Sequence, residues 1–448
     1  MPQPNILFIF PDQHRREWMP YADEIFAKWG MQKPELHLPN LAALMARGNT
    51  FLRASTPSPL CAPARACIAA GTQYPRCETP GNDCDYPLSK PTFYQALRTE
   101  GYHVLGVGKF DLRKLTCDWF NTEHADTLGF TDYIDSEGKW DAVIHYNRYG
   151  VPRGPYMKYL QTHGYAQMHL DDFDGRGRQT YRTPLPDEMY CDNWIAGNAI
   201  EKITAVPAGE PWFIQVNFTG PHDPFDITER MFETVKDRTY ALGHGDDPRE
   251  NANEIRQCYA AMIENIDRNI GEILATVAAR GELENTIVIY ASDHGEMLGD
   301  HTKYAKCVPE RGSLDVPCVI AVPDAFAEGM RKGVCQDAIV ELQDLTATML
   351  DFAGTSLPSA VDAQSLVPLL KGEKATHREF AFSALHTLPN YMGFQSVADA
   401  QYKYVAFADG TEALFDLTTD VWEDQNIAAK HPELAASYRD KIAQVMHA

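Results

Sequence analysis

Five short apolar runs mark the chain at residues 6–10, 104–107, 212–218, Thr286–Ala291 and 318–322. They are short enough for strands and too uniformly apolar for a sheet with one wet face, so they predict buried parallel strands. Helical spacing lies between them, at 41–47, at 92–100 and most clearly over Ala252–Ala279. There Ile255, Met262, Ile266, Ile270 and Ile273 recur on one face. Strands alternating with helices predict an α/β fold built on a large, doubly wound, mixed and mostly parallel sheet, with ligands beyond the carboxyl ends of its strands. After Lys371-Gly372 the pattern changes to short strands at 380–384, 393–397, 402–407 and 413–416, then a helix from Pro432. This predicts a catalytic domain over 1–372 and a small antiparallel α+β subdomain over 373–448.

Polar residues fall where those strands end. Asp12 and Gln13 follow the first, Lys109 and Asp111 the second, His222 the third, and Asp293 and His294 the fourth. Four strand ends thus bring polar groups to one edge of the sheet. Residues 118–192 lack clear periodicity and are rich in Tyr, Asp, Gly and Arg, which predicts an irregular insertion shaping the substrate pocket. Its Tyr146, Tyr149, Tyr156 and Tyr159 are candidates to stack on a sugar or aromatic ring.

Charge narrows the partners. Lys plus Arg total 40 and Asp plus Glu 62, a formal net charge of −22. That excess argues against nucleic acid, an anionic membrane or a long polyanion, while a small anion can still bind where cations converge. No apolar run approaches the ~20 residues of a membrane span. Residues 6–10 are too short for a signal-peptide core and lack a basic leader, so a cytoplasmic location is expected. Ten cysteines in 448 residues do not form a dense disulfide framework. Cys61, Cys67, Cys77 and Cys84 cluster, but no C-x-x-C pair supports a zinc site. A homo-oligomer is compatible with the sequence.

The most specific motif is Cys61-Ala62-Pro63-Ala64-Arg65. With it come Asn5-Ile6-Leu7-Phe8-Ile9-Phe10-Pro11-Asp12-Gln13, Pro39-Asn40-Leu41, Gly71-Thr72-Gln73-Tyr74-Pro75, Gly108-Lys109, Pro221-His222-Asp223-Pro224-Phe225, Ser292-Asp293-His294-Gly295, Gly299-Asp300-His301, Lys306 and Leu414-Phe415-Asp416-Leu417. In this order the chain resembles the type I sulfatases of the alkaline-phosphatase-like superfamily. The pairs Asp12-Gln13 and Asp293-His294 are similar to those of choline sulfatases and phosphonate monoester hydrolases.

The resemblance implies that a formylglycine-generating enzyme converts Cys61 to formylglycine, whose hydrated aldehyde attacks a sulfate ester. It implies one divalent metal, Ca²⁺ or Mn²⁺, held by Asp12, Asp293, His294 and residue 61 as formylglycine, with contact by Gln13 left open. It implies that Arg65 orients the formylglycine hydroxyls. Lys109, His222, Lys306 and the amide of Asn82 would hold the sulfate, with His222 or Lys306 protonating the leaving alcohol. The expected substrate is a small organic or carbohydrate sulfate ester.

One position departs from the family. Its Gly-Lys-x-His becomes Gly108-Lys109-Phe110-Asp111, so the histidine that takes a proton from the diol is absent. Either Asp111 replaces it as base, or Asp111 anchors Lys109 or Arg113. Two other readings stay open. One is a phosphonate monoester or phosphodiester hydrolase with the same nucleophile, against which Lys109 speaks, because those enzymes resemble a pattern with tyrosine there. The other is a non-catalytic pseudoenzyme that binds a small anion.

Overall fold

A computed structural model describes residues 3–447 apart from 177–179, 242, 246, 248 and 358–360. All five apolar runs are strands of one nine-stranded sheet. Across the sheet the order is Val334–Glu341, Asn49–Ser55, Cys318–Ala321, Thr286–Ala291, Asn5–Ile9, Trp212–Asn217, His103–Gly108 and Asp132–Asp135, with Asp315–Val316 pairing beside Asn49–Ser55. Most neighbours are parallel; Asp315–Val316 runs antiparallel to Asn49–Ser55, and Cys318–Ala321 runs antiparallel to both of its partners. The expectation that this strand is parallel is thereby corrected. An apolar run buried on both faces gives the same pattern in either direction, so composition does not reveal its sense.

Both faces of the sheet are covered. Leu7 and Ile9 point into one core with the helices Ala252–Ala279 and Cys191–Ala205. Ile6, Phe8 and Phe10 point into the other, with the helices Cys61–Ala70 and Asp344–Ala353. This period-two split is what a strand between two helical layers requires.

The C-terminal chain forms a four-stranded antiparallel sheet, Ala381–Leu385, Phe394–Ala398, Tyr402–Phe407 and Glu412–Asp416, followed by the helix Pro432–His447. One face of this sheet, with Phe382, Val397, Tyr404 and Leu414, packs on that helix. The other, with Leu385, Phe394, Val405 and Ala413, packs on Leu60, Cys307 and Leu314. Leu60 and Cys307 adjoin Cys61 and Lys306 in sequence, so the small sheet braces two segments of the site described below.

The described residues of 118–192 are not irregular. They contain the edge strand Asp132–Asp135 and the helices Gly138–Tyr149, Pro155–Thr162 and Ala166–Arg176. Glycines at 138, 150 and 154 cut this stretch into short pieces, which hides the helical period in the sequence. Among the described residues no helix is long and apolar enough to cross a membrane.

Candidate active site

Cys61 opens the helix Cys61–Ala70, all of whose residues are buried. Leu60 at its N-cap offers no capping side chain, so Asn82 Oδ1 accepts the Ala62 N–H at 3.0 Å from a separate loop. Position 61 therefore sits where amide donors and the helix dipole favour an anion. Pro63 lies in the first turn, where its missing N–H breaks no helical bond.

Four groups converge there. Asp12, Cys61, Asp293 and His294 each present one ligand atom, all within 4.8 Å of one another. Cys61 Sγ is 3.3 Å from His294 Nε2 and 3.8 Å from Asp12 Oδ1. His294 Nδ1 faces the Gly295 carbonyl at 3.1 Å, which places its hydrogen there and turns the Nε2 lone pair toward the cluster. Two carboxylates, an imidazole nitrogen and the side chain at 61 make a donor set that fits a divalent cation of hard to borderline character. Cys67, Cys77 and Cys84 stand outside it.

Cations surround the cluster. Arg65 is buried and donates through Nε to Asp293 Oδ2 at 3.0 Å, with Nη2 2.9 Å from Asp293 and 3.3 Å from Asp12. Its Nη1 donates to the Lys109 carbonyl at 2.5 Å. Lys109 Nζ bonds Asp12 and lies 3.0 Å from Asp111. Gly108, just before Lys109, has φ +103°, and a Cβ there would lie 2.0 Å from the Asn217 carbonyl oxygen, so only glycine allows this approach. Burial raises the Asp12 carboxyl, but Lys109, His222, Arg65 and Lys306 together hold it well below its usual range. Burial and Asp12 push the Cys61 thiol up, but Lys109, Lys306 and His294 outweigh them and hold it well below its ordinary value.

Lys306 and Gln13 close one side. Lys306 Nζ donates to Gln13 Oε1 at 2.6 Å and to His222 Nε2 at 2.5 Å. His222 Nδ1 in turn meets the Asp223 carbonyl at 2.5 Å. Gln13, at φ +68°, turns its side chain to Lys306 and Glu296, and its backbone N–H donates to Asp293 Oδ1 at 3.0 Å. Its amide is thus occupied by Lys306 and Glu296 rather than joined to the four-atom cluster.

Cys61, Asn82, Lys109, His222 and Lys306 line one cavity of about 340 Å³. Asp111 does not line it. The carboxylate is 1% exposed and held between Lys109 and Lys114, well below its ordinary pKa despite burial, while Arg113 pairs with Asp85. The four tyrosines also stay off the cavity. Tyr156, for one, is a core residue whose hydroxyl donates to the Met189 carbonyl at 2.9 Å. The aromatic lining comes from Trp140 and Tyr391.

Several supporting residues have no local signature. Asp192 accepts the backbone N–H of Thr219 at 2.7 Å and of Gly220 at 3.1 Å, fixing the turn before His222. Glu296 accepts the N–H of Leu298 at 3.0 Å and of Ala305 at 2.5 Å and holds Gln13. Glu296 was within reach of sequence reasoning, two residues past His294; Asp192 and Tyr391 were not.

A family model described as "Sulfatase" matches residues 4–355, and one described as "N-sulphoglucosamine sulphohydrolase, C-terminal" matches residues 299–447. A choline-sulfatase of Rhizobium meliloti is 28% identical over 95% of this chain and 82% of its own length. An arylsulfatase of Clostridium perfringens is 26% identical over 95% of this chain and 90% of its own. Among solved structures, a phosphonate monoester hydrolase of Agrobacterium radiobacter superposes with a TM-score of 0.81 at 22% identity, over 99% of this chain and 95% of that one, a likeness of fold.

Proposed function

Because the chain belongs to the sulfatase family and is a sulfuric ester hydrolase, we propose that it works through a formylglycine made from Cys61, with a divalent ion held by Asp12, Asp293, His294 and residue 61. The convergence of Cys61 with those three ligand-type side chains at a helix N-terminus carries this reading. Formylglycine would supply a hydroxyl nucleophile that cysteine lacks, and the ion would supply Lewis-acid charge.

The chain's own residues do the rest. Lys109 and Lys306 set ammonium groups against the oxygens of the bound ester, where negative charge grows in the transition state. Arg65 holds Asp12 and Asp293 apart and in place. Lys306 carries the proton shared with His222 Nε2 and faces the cavity, so this pair protonates the leaving alcohol. A general acid matters most when the leaving group is poor. Lys306→Ala is therefore expected to slow an alkyl sulfate by about 10²- to 10⁴-fold and a nitrophenyl sulfate far less. Equal losses on both esters would remove Lys306 from that role.

The cavity is near the small end of the ~300–1,000 Å³ range of ligand sites. Leu60, Trp140, Leu388 and Tyr391 give it apolar and aromatic walls. These features support a small organic or carbohydrate sulfate ester as substrate. Glu137, Gly138, Lys139, Trp140 and Asp141 line it from within 118–192, which supports a pocket-shaping role for that stretch.

The likeness of fold to a phosphonate monoester hydrolase keeps a second reading in view. Lys109 weighs against it, because a sulfate monoester presents three non-bridging oxygens to be held, one more than a phosphonate monoester, and a further ammonium suits the extra one. On matched aryl esters, kcat/KM should favour sulfate over phosphonate by about tenfold or more, some 1.4 kcal/mol of transition-state binding. The reverse order would favour the phosphonate reading.

A further inference from the structure

Beside Lys109 runs a ladder of charge that the reaction above leaves unused. Asp111, at φ +54°, turns its carboxylate back onto Lys109 Nζ at 3.0 Å. Lys114 Nζ meets the same carboxylate at 3.3 Å and reaches Asp141 Oδ2 at 3.0 Å. Asp141 lies on the helix Gly138–Tyr149. Charge therefore alternates from Asp12 through Lys109, Asp111 and Lys114 to Asp141. Lys114 and Asp141 line the cavity with Cys61, and Asp111 is buried.

A buried carboxylate this close to Lys109 works against an anionic substrate. It repels the incoming sulfate and draws the ammonium toward itself and away from the cavity. Lys114 is the only other ammonium paired with Asp111 among the described residues. We propose that Lys114 is a positioning residue for sulfate binding: it neutralises Asp111, so that the charge of Lys109 remains available to the ester. Asp111 is then a counter-charge and not the proton acceptor that its place in the sequence suggests. This rests on the sulfate-ester reading for its meaning but not for its measurement.

The test uses metal-loaded protein with formylglycine confirmed at position 61, inorganic sulfate as the binding probe, and 4-nitrophenyl sulfate as substrate. Calorimetry gives the sulfate Kd, and steady-state rates give kcat and KM. Lys114→Met should weaken sulfate and raise KM by about tenfold, with the loss falling on KM rather than kcat. Lys114→Arg, which keeps the charge, should stay near wild type. Adding Asp111→Asn to Lys114→Met should bring sulfate affinity back to within about threefold of wild type, because the charge that Lys114 cancels is gone. Asp111→Asn alone should hold sulfate at least as tightly as wild type.

Unchanged sulfate affinity in Lys114→Met, or no recovery in the double variant, overturns the proposal. So does a collapse of kcat in Asp111→Asn at unchanged sulfate affinity, which would make Asp111 the base. A wild type that binds no sulfate also overturns it. A wild type that binds sulfate but turns over no sulfate ester refutes the wider reading, while the affinities still decide the role of Lys114.

Discussion

Cys61→Ala is expected to lower sulfate ester turnover by about 10⁴-fold or more, the scale seen when a covalent nucleophile is removed. The other groups near position 61 are already committed. Asp12 and Asp293 are bound by Arg65, and Asp12 also by Lys109. His294 is fixed through Nδ1 to the Gly295 carbonyl. None can take over the attack. The fold should survive, since the thiol makes only long contacts, 3.3 Å to His294 and 3.8 Å to Asp12. A melting temperature close to wild type, with sulfate affinity retained, separates loss of chemistry from loss of structure. Turnover that persists in Cys61→Ala would assign the nucleophile elsewhere.

Arg65→Met is expected to cost about 3–5 kcal/mol of stability, the usual price of leaving one side of a buried ion pair without its partner. Its guanidinium is the link between Asp12 and Asp293, both fully buried, and it stacks 5.1 Å from the Phe10 ring centre. Without it, two carboxylates share a dry site with Lys109 as the nearest counter-charge. A divalent cation would relieve that repulsion, so Mn²⁺ or Ca²⁺ should raise the melting temperature of Arg65→Met more than that of the wild type. Turnover should fall by about 10²-fold or more as the site loses its preorganised geometry. Melts with chelator and with added ion measure both effects. A variant as stable as wild type in chelator would contradict the role given to Arg65.

Much of the sheet was legible because its central strands are buried on both faces. The runs at 6–10, 104–107, 212–218 and 286–291 contain almost nothing but apolar residues. The strand Asn49–Ser55 escaped because polar residues interrupt it and find partners in the fold: the Asn49 side chain donates to the Arg331 carbonyl and accepts from Gln336, and Arg53 donates to the Ala400 carbonyl. Such pairing breaks the apolar pattern without breaking the strand. The sequence also located the groups at strand ends, since short connections leave them little freedom. It did not locate partners that arrive from afar. Tyr391 and Leu388 enter the cavity from the connection between the strands Ala381–Leu385 and Phe394–Ala398, and Asp192 reaches Thr219 across 27 residues. At Asp111 the sequence left two roles open, and its place off the cavity between Lys109 and Lys114 weighs between them.

The central claim is that residue 61 acts as a formylglycine in hydrolysing a sulfate ester. Its most direct test is to prepare the protein at several levels of conversion, by varying the supply of formylglycine-generating enzyme, and to compare turnover of an aryl sulfate with the aldehyde fraction of the Cys61 peptide by mass spectrometry. Turnover proportional to aldehyde content, extrapolating to zero for the thiol, is the predicted result. Full activity in protein whose Cys61 remains a thiol would contradict it.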